Sequence, residues 1–247
     1  MLNHPTLDAL RDLGLHGMAT AFTDVGTTGE AASLSHAEWL GLLVDREVTL
    51  RNERRLATRL RSAKLRQQAC VEDVDYHTPR GLDRAMFMRL AEGHWIKQHA
   101  NLLICGPAGV GKSWLASALG HKACRDNHSV LYQRAPRLFD ELTLARGDGR
   151  HARLLRGLGR ARLLVIDDWG LEPLNAAARH DFLEILEDRY GRRSTLITSQ
   201  VPVEKWHGLI GDPTYADAIL DRLVHNAVRL NLIGESLRRV KTTVGKA

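Results

Sequence analysis

Hydrophobic positions follow two different patterns along the chain. Between residues 4 and 70 they recur at helical spacing, as in Leu7 and Leu10 and again in Leu56 and Leu60, which is typical of amphipathic helices. After about residue 100, apolar runs of strand length alternate with helical segments. Such alternation builds a parallel sheet that is covered by helices on both faces. The pattern therefore predicts a helical N-terminal region followed by an α/β domain.

Glycines, turn signals and apolar runs set the expected boundaries. Gly26 and Gly29 are expected to separate at least two helices in the N-terminal region. The predicted strands cover residues 101–105, 129–133, 162–167, 194–198 and 228–233, and the predicted helices begin near 114, 136, 176 and 215. We expect a small helical domain at 1–70, a linker with a turn at 78–81 within 71–100, and the α/β core at 101–247.

The composition is that of an ordinary globular protein. The 247 residues are 44% hydrophobic and 26% charged, so the chain is able to bury a large core. The three cysteines, Cys70, Cys105 and Cys124, lie far apart in the sequence, so neither a disulfide framework nor a zinc site is expected. The sequence shows no signal peptide and no apolar stretch of membrane-spanning length. We therefore expect a cytoplasmic protein without a membrane partner.

One segment carries a phosphate-binding pattern. Residues 106–113 read GPAGVGKS, which matches G-x-x-x-x-G-K-[ST] between a predicted strand and a predicted helix. Glycines allow backbone N–H groups to turn inward around an anion, and the helix N-terminus adds its positive dipole end. The predicted nucleotide-binding residues are Gly106, Pro107, Ala108, Gly109, Val110, Gly111, Lys112, Ser113 and Trp114. Lys112 is expected to reach the β- and γ-phosphates of ATP, and Ser113 to ligate Mg²⁺.

A second motif places two acids at the end of a strand. Residues 163–168 read LLVIDD, and a buried parallel strand delivers its last residues to the carboxyl edge of the sheet, beside the phosphate loop. We expect Asp167 to belong to the Mg²⁺ shell and Asp168 to orient or deprotonate the attacking water. The alternative is that these acids only cap a neighbouring helix.

Two runs of arginines stand out from the modest net charge of +6. Arg51, Arg55 and Arg59 recur every four residues on a predicted helix, and a second run holds Arg146, Arg150, Arg153, Arg156 and Arg160. Few aromatic residues interleave with them, which favours backbone contacts to duplex DNA over base stacking. Solvated helix faces are an equally good interpretation of either run alone. If DNA is the partner, the helical domain serves DNA or partner binding and oligomerisation.

Further motifs add a resemblance to a known family. Residues 194–200 read STLITSQ, 202–213 read PVEKWHGLIGDP and 217–226 read DAILDRLVHN. Together with the loop and the acids, they resemble the AAA+ ATPases, and among these the IstB-like transposition helpers. The resemblance covers nearly the whole chain and weakens before about residue 30. It implies an AAA+ parallel-sheet core without a separate lid, ATP hydrolysis with Mg²⁺, self-association into a ring or spiral, and assistance to a partner transposase on DNA.

The resemblance also implies roles for individual residues. Asp168 stands where most AAA+ proteins have a glutamate base, so slow hydrolysis or a switch-like use of ATP is expected. Gln200 is similar to the sensor of the γ-phosphate. Arg222 looks like the arginine finger that a neighbouring subunit inserts into the site. The alternative for Arg222 is a surface salt bridge with Asp221 or Asp217.

Several alternatives remain open from sequence. Arg238 is either a second sensor or a surface arginine, and residues 77–80 with Trp95 either line the adenine pocket or pack in the linker. A DnaC-like replicative helicase loader shares the same core, and its N-terminal segment would then bind a helicase. A small-molecule P-loop kinase is less consistent with the chain, because no acceptor-binding domain or arginine-bearing lid is visible.

Overall fold

The computed structural model of the protein describes residues 4–28 and 34–237. The chain divides into two compact units, residues 1–58 and residues 59–247. The sequence-based division into 1–70, 71–100 and 101–247 remains a prediction of functional domains. In the described part of the chain, no helix is both long enough and apolar enough to cross a bilayer.

The first unit is built from helices, two of which are joined by the buried carboxylate of Glu47. Its helices are α1 (Pro5–Asp12), α2 (His16–Thr28) and the first part of α3 (His36–Ala63). Glu47 on α3 is buried, and its Oε2 atom accepts the N–H groups of Gly17, at 2.6 Å, and Met18, at 3.2 Å. These donors have no partner within α2, because they belong to its first turn. A Cβ at Gly17 would collide with the backbone of α3, so this crossing requires glycine.

The predicted separation of two helices near residues 26–29 is present, because α2 ends at Thr28 and α3 begins at His36, but Gly26 itself does not end the helix. Helix α2 continues through Gly26 to Thr28, and Gly29 lies outside the described residues. A glycine inside a helix costs only about 1 kcal/mol relative to alanine. The buried side chains of Ala21 and Val25 on the same helix outweigh that cost through packing.

The second unit contains the predicted parallel sheet, and the predicted fold class is confirmed. Its strands are β1 (Asn101–Cys105), β2 (Val130–Arg134), β3 (Leu163–Trp169), β4 (Ser194–Ser199) and β5 (Ala227–Asn231). All neighbours are parallel, in the order β2-β3-β4-β1-β5. Strands β1 and β4 are buried along their whole length. The apolar run of β1 is therefore continuous, whereas β4 buries hydroxyl side chains on both sides of Leu196 and Ile197.

Helices cover both faces of this sheet. They are α4 (Arg84–Ala91), α5 (His94–Lys97), α6 (Lys112–Arg125), α7 (Ala135–Gly147), α8 (His151–Arg160), α9 (Ala176–Arg189), α10 (Trp206–Ile210) and α11 (Pro213–Val224), with short 3-10 turns at Val71–Asp73 and Val203–Lys205. Helix α8 is an element that the sequence analysis did not predict. Two of its leucines, Leu155 and Leu158, are buried at helical spacing. This apolar signal is short, and the arginines next to the leucines make the segment read as a charged surface.

Aromatic side chains fill the core on one face of the sheet. Trp169 at the end of β3 lies 4.5 Å from Phe182 of α9 and 5.9 Å from Trp206 of α10, measured between ring centroids. All three side chains are almost completely buried, and edge or offset contacts of this kind add to the burial of apolar area. The indole N–H of Trp206 donates to the carbonyl of Val201 at 2.9 Å. This packing holds the segment after β4 against the end of β3.

Candidate nucleotide site at the carboxyl edge of the sheet

The loop between β1 and α6 has the backbone that an anion cradle requires. Gly106 and Gly109 have φ angles of +152° and +84°, which side chains rarely adopt. A Cβ at Gly106 would collide with the carbonyl of Leu232, and one at Gly109 with the side chain of Ser236. The N–H of Leu237 also donates to the carbonyl of Gly109 at 3.0 Å. The segment after β5 therefore supports the loop, which the sequence motif alone did not reveal.

Lys112 is the first residue of α6 and is largely buried. Its ammonium donates to the carbonyls of Gly106 and Pro107, each at 2.7 Å. Burial lowers the pKa of Lys112, and the negative charges of Asp168 and Asp167 oppose that shift. The ammonium group of Lys112 is therefore held by two carbonyls of the phosphate loop, next to the anion cradle.

The carboxylate of Asp167 is fully buried and surrounded by hydroxyl groups. Its Oδ1 atom accepts from Ser113 Oγ at 2.8 Å and from Thr198 Oγ1 at 2.5 Å, and its Oδ2 atom accepts from Tyr132. Burial raises the pKa of Tyr132, and the hydrogen bond to Asp167 raises it further. The structure thus brings Ser113 and Asp167 together as expected. Sequence reasoning missed Tyr132 and Thr198, whose positions near the ends of β2 and β4 were the available signal.

Asp168 lies in a bulge of the sheet. The pairing of β3 with β4 shifts between Ile166 and Trp169, and Asp168 has a φ of 60°, which is uncommon for a residue other than glycine. Its N–H donates to Thr198 Oγ1 at 3.1 Å. A bulge re-aims side chains, so two consecutive residues both reach the same edge of the sheet. Backbone outliers of this kind cluster at functional sites.

Two arginines contact the carboxylate of Asp168. Arg134, at the end of β2, lies 3.0 Å from its Oδ2 atom, and Arg66, which follows α3, lies 3.4 Å from the same atom. Arg66 also lies 3.3 Å from Oδ2 of Asp167. Sequence analysis had assigned neither arginine to the site. Arg66 belongs to a basic run from 46 to 66, and nothing in that run distinguishes it from its neighbours.

The oxygen donors at the loop have the chemistry of a magnesium site. Mg²⁺ prefers carboxylate, hydroxyl and water oxygens and is commonly held by one or two protein ligands together with phosphate oxygens. The Ser113 hydroxyl and the Asp167 carboxylate, 2.8 Å apart, supply such oxygens directly beside the loop. The residues present therefore fit this ion.

Linker residues near the loop have structural contacts. Arg80 is almost completely buried and donates to the carbonyls of Val110, at 3.0 Å, and Asp75, at 2.8 Å. Burial lowers the pKa of Arg80. Trp95 is also buried, and its indole N–H donates to the carbonyl of Leu90 at 2.9 Å. Arg80 thus supports the phosphate loop from behind, while the role of these residues toward adenine stays a prediction.

The remaining residues that the family resemblance implied lie at different places. Gln200 follows β4 directly and is exposed. Arg222, on α11, forms an ion pair with Glu187 and donates to the carbonyl of Ala218 at 2.8 Å. That hydrogen bond with Glu187 raises the pKa of Arg222. The sequence alternative for Arg222 was a salt bridge with Asp221 or Asp217. The structure contains a salt bridge, but its partner is Glu187.

The position of Arg222 relative to the sheet is also informative. The side chain of Asn101 donates to the carbonyl of Arg222 at 3.0 Å, and Asn101 is the first residue of β1. The phosphate loop follows the last residue of the same strand, Cys105. Arg222 therefore lies at the amino edge of the sheet, and the structure does not bring it to the phosphate loop of its own chain. Arg238 lies outside the described residues.

The arginines of α3 are unequally available for a partner. Arg51 is ion-paired with Glu47 at 2.7 Å, and its side chain is 51% exposed. Arg55 is exposed, whereas Arg59 is partly buried and donates to the carbonyl of Cys124 at 3.0 Å. Part of the predicted stripe therefore stabilises the fold.

The second run divides in the same way. Arg146 and His151 both contact the buried carboxylate of Asp181, and Arg150 pairs with Asp148. Asp181 on α9 therefore joins the end of α7, through Arg146, to the beginning of α8, through His151. The later arginines of α8, Arg153, Arg156 and Arg160, are exposed and share one helix face because they are three and four residues apart.

Comparison with known proteins decides the family. The family described as IstB-like ATP binding protein matches residues 8–244 of the chain. The chain belongs to this IstB-like family. It is 70% identical over 239 residues to an insertion sequence ATP-binding protein of Sinorhizobium fredii, a match that covers 97% of this chain and 98% of that protein. It is 48% identical over 203 residues to the ATP-binding protein of insertion sequence IS1162 from Pseudomonas fluorescens, covering 82% and 88%.

Solved structures agree with this assignment. DnaI superposes with a TM-score of 0.59 and 25% identity, over 67% of this chain and 91% of that chain. The replication initiator DnaA bound to AMPPCP and single-stranded DNA gives a TM-score of 0.58 at 15% identity, over 74% and 56%, which shows the fold alone. With the loop, Lys112 and the acids in place, this IstB-like protein is an ATP-binding P-loop ATPase of the AAA+ type.

Proposed function

We propose that this IstB-like ATPase binds DNA, assembles on it with ATP and Mg²⁺, and assists or targets the transposase of an insertion sequence. The observation that carries the proposal is 70% identity with an insertion sequence ATP-binding protein over nearly the whole of both chains. A complete phosphate loop next to the Ser113–Asp167 pair supports the nucleotide part of it.

The site residues have distinct roles in this proposal. The loop amides and Lys112 bind the phosphates of ATP, and Ser113 and Asp167 hold Mg²⁺, which neutralises phosphate charge. Asp168 orients the attacking water and accepts its proton. Gln200 senses the γ-phosphate. An aspartate reaches less far than a glutamate, so we expect slow turnover that suits a switch.

The place of Arg222 supports the self-association part of the proposal. Because Arg222 lies at the amino edge of the sheet, it is able to serve as an arginine finger only in the site of a neighbouring subunit. A ring or spiral of subunits provides that geometry, and ATP at the interface then orders the assembly. The Glu187 ion pair holds the Arg222 side chain in place before a neighbour arrives.

The exposed arginines supply a DNA-binding surface. Arg153, Arg156 and Arg160 form one face of α8 and extend over about 10 Å at 1.5 Å per residue. Arg51 and Arg55 form a second exposed cationic patch on α3. Contacts from such patches go to phosphates, so they give affinity without sequence information. Assembly multiplies these contacts and allows the subunits to hold or bend a duplex.

The DNA-binding part is tested with a triple variant of α8, in which Arg153, Arg156 and Arg160 are changed to Gln. Duplex binding with a non-hydrolysable ATP analogue is measured by fluorescence anisotropy over a range of salt concentrations. We expect the slope of log K against log salt to fall by about two to three, since each lost phosphate contact removes about 0.9. A matched control changes the exposed arginines Arg84, Arg89 and Arg192 to Gln.

If both triple variants lose the same amount of DNA affinity, α8 does not carry a specific DNA surface. If the wild-type protein binds DNA equally well with and without nucleotide, nucleotide does not control DNA binding.

The partner is tested by capture on the immobilised, nucleotide-bound protein. Retention of the transposase of the same insertion sequence supports the proposal. Retention of a replicative hexameric helicase instead would favour the helicase-loader alternative.

A further inference from the structure

Arg66 lies outside the phosphate loop and the two acids in sequence, but its side chain reaches both acids. It follows α3, which ends at Ala63, and the turn includes Lys64 with a φ of 53°. Leu65 packs against the α6 helix, because a Cβ at Gly120 would lie 2.9 Å from its Cδ2 atom. The neighbouring side chains thereby fix the segment, and the guanidinium of Arg66 is directed to the carboxyl edge of the sheet.

The contacts of Arg66 are those of a cation between two acids. Its Nη1 atom lies 3.3 Å from Asp167 Oδ2 and 3.4 Å from Asp168 Oδ2. Burial disfavours the charged form of Arg66, but Tyr132 and the two carboxylates outweigh it, so the pKa of Arg66 is raised. Arg134 contacts only Asp168 of this pair. In the described part of the chain, Arg66 is thus the basic side chain that lies within ion-pair distance of both Asp167 and Asp168.

Asp167 otherwise has neutral partners. Ser113, Thr198 and Tyr132 all donate hydroxyl hydrogens to it. Two adjacent carboxylates at a buried edge are costly unless a cation neutralises them. In the state described here, Arg66 provides that charge at both acids.

We propose that Arg66 is a positioning residue of the ATPase site, whose guanidinium takes the place of the metal cation at Asp167 and Asp168 and withdraws when Mg²⁺ and ATP bind. The inference rests on the proposed function, because it uses the assignment of Ser113 and Asp167 to Mg²⁺. A divalent ion and a guanidinium that share the same carboxylates repel each other. The side chain of Arg66 is 39% exposed, so it is able to move into solvent without leaving a large cavity.

The exchange predicts a measurable competition. In the wild-type protein, part of the binding free energy of the metal is used to displace Arg66. In Arg66→Ala this competition is absent, so the Mg²⁺ concentration that half-saturates nucleotide binding falls by about tenfold. Arg66→Lys keeps a positive charge and restores a value close to that of the wild type. A residue that only stabilised the fold would not shift this midpoint downward.

The experiment titrates Mg²⁺ into the full-length protein with a fluorescent ATP analogue and records binding by anisotropy, so no turnover is required. Thermal unfolding confirms that each variant is folded. Arg125→Ala is the matched control, because Arg125 is 38% exposed and pairs with Glu72 at the far end of α6. We expect the midpoint of the control to stay within about twofold of the wild type.

Three results separate the possible failures. A lower midpoint in Arg66→Ala, with the control unchanged, supports the proposal. An unchanged or higher midpoint in Arg66→Ala overturns it while leaving the proposed function intact. If the wild-type protein binds the analogue equally well with and without Mg²⁺, the metal assignment itself fails, and the role of Arg66 fails with it.

Discussion

The two edges of the central sheet use charged side chains in opposite ways. At the carboxyl edge, Asp168 has a strained backbone and shares its carboxylate between two half-exposed arginines. At the amino edge, Arg189 is 1% exposed. Its guanidinium donates to Thr195 Oγ1 and to the backbone carbonyls of Leu158, Ala161 and Ser194. The edges are only about 13 Å apart along β1.

The difference shows what each edge is built for. Burial lowers the pKa of Arg189 to about 9, yet its hydrogen bonds to fixed backbone carbonyls satisfy the guanidinium and join α8, α9 and β4. Charges at the carboxyl edge are paired with side chains that remain partly exposed to solvent. The amino edge is therefore a buried structural joint, and we propose that the carboxyl edge is an exchangeable site. Four expected outcomes test this comparison.

The largest effect is expected at the carboxyl edge. Lys112→Ala removes the cation from the phosphate loop, and ATP hydrolysis should fall by about a thousandfold, with nucleotide-dependent assembly lost. Lys122→Ala, on the same helix, removes an ion pair with Asp126 and should retain hydrolysis. Steady-state phosphate release measures both. Substantial hydrolysis by Lys112→Ala would contradict the site assignment.

The amino edge should respond in stability instead. Arg189→Met keeps the length of the side chain but leaves buried carbonyls without donors, each costing about 1–3 kcal/mol, so we expect a loss of about 3 kcal/mol in the free energy of unfolding. Urea denaturation measures it. Arg192→Met, at an exposed position, is the control and should change stability by less than about 0.5 kcal/mol. A loss below about 1 kcal/mol for Arg189→Met would show that the joint is not structural.

Variants of Arg222 test whether the amino edge of one subunit contributes a side chain to the nucleotide site of the next subunit. Arg222→Ala should keep ATP binding but lower turnover by at least about tenfold. Glu187→Ala, which removes only its ion-pair partner, should retain most of the turnover. Mixing Arg222→Ala with Lys112→Ala should restore part of the activity, because the Arg222→Ala chain still binds ATP and the Lys112→Ala chain beside it supplies Arg222. If turnover is insensitive to Arg222→Ala, the site is not shared.

The smallest effect concerns the thiols. Burial raises the pKa of Cys105 to about 11 and that of Cys124 to about 11, so only about one thiol in a thousand is ionised at pH 8. Half-buried Cys70 should therefore react first with iodoacetamide, and labelling of Cys105 should increase as the pH rises toward 11. Mass spectrometry of the native protein measures the order. Fast labelling of Cys105 at pH 8 would show that the carboxyl edge is open beneath the loop.

Sequence reasoning reached the elements whose signals are local. The five strands appear within a few residues of their expected bounds. The signal is clearest in β1 and β3, because a strand buried on both faces contains a continuous apolar run. The phosphate loop and the two acids were found for the same reason, since each motif occupies one short segment. Helix α8 was missed, and α2 continues past Gly26 before it ends at Thr28. In both cases packing against other elements outweighed the local signal.

The amino-acid sequence by itself determined the IstB-like family, the α/β core, and the positions of Lys112, Ser113 and Asp167 at the carboxyl edge of the sheet. Only the tertiary structure decided which distant side chains join them: Tyr132 and Thr198 from neighbouring strands, and Arg66 from a segment about a hundred residues upstream of the acids. Parallel strands bring their carboxyl ends to one edge whatever their separation along the chain. The partners of a buried charge are therefore set by sheet order and bulges, which no local pattern records.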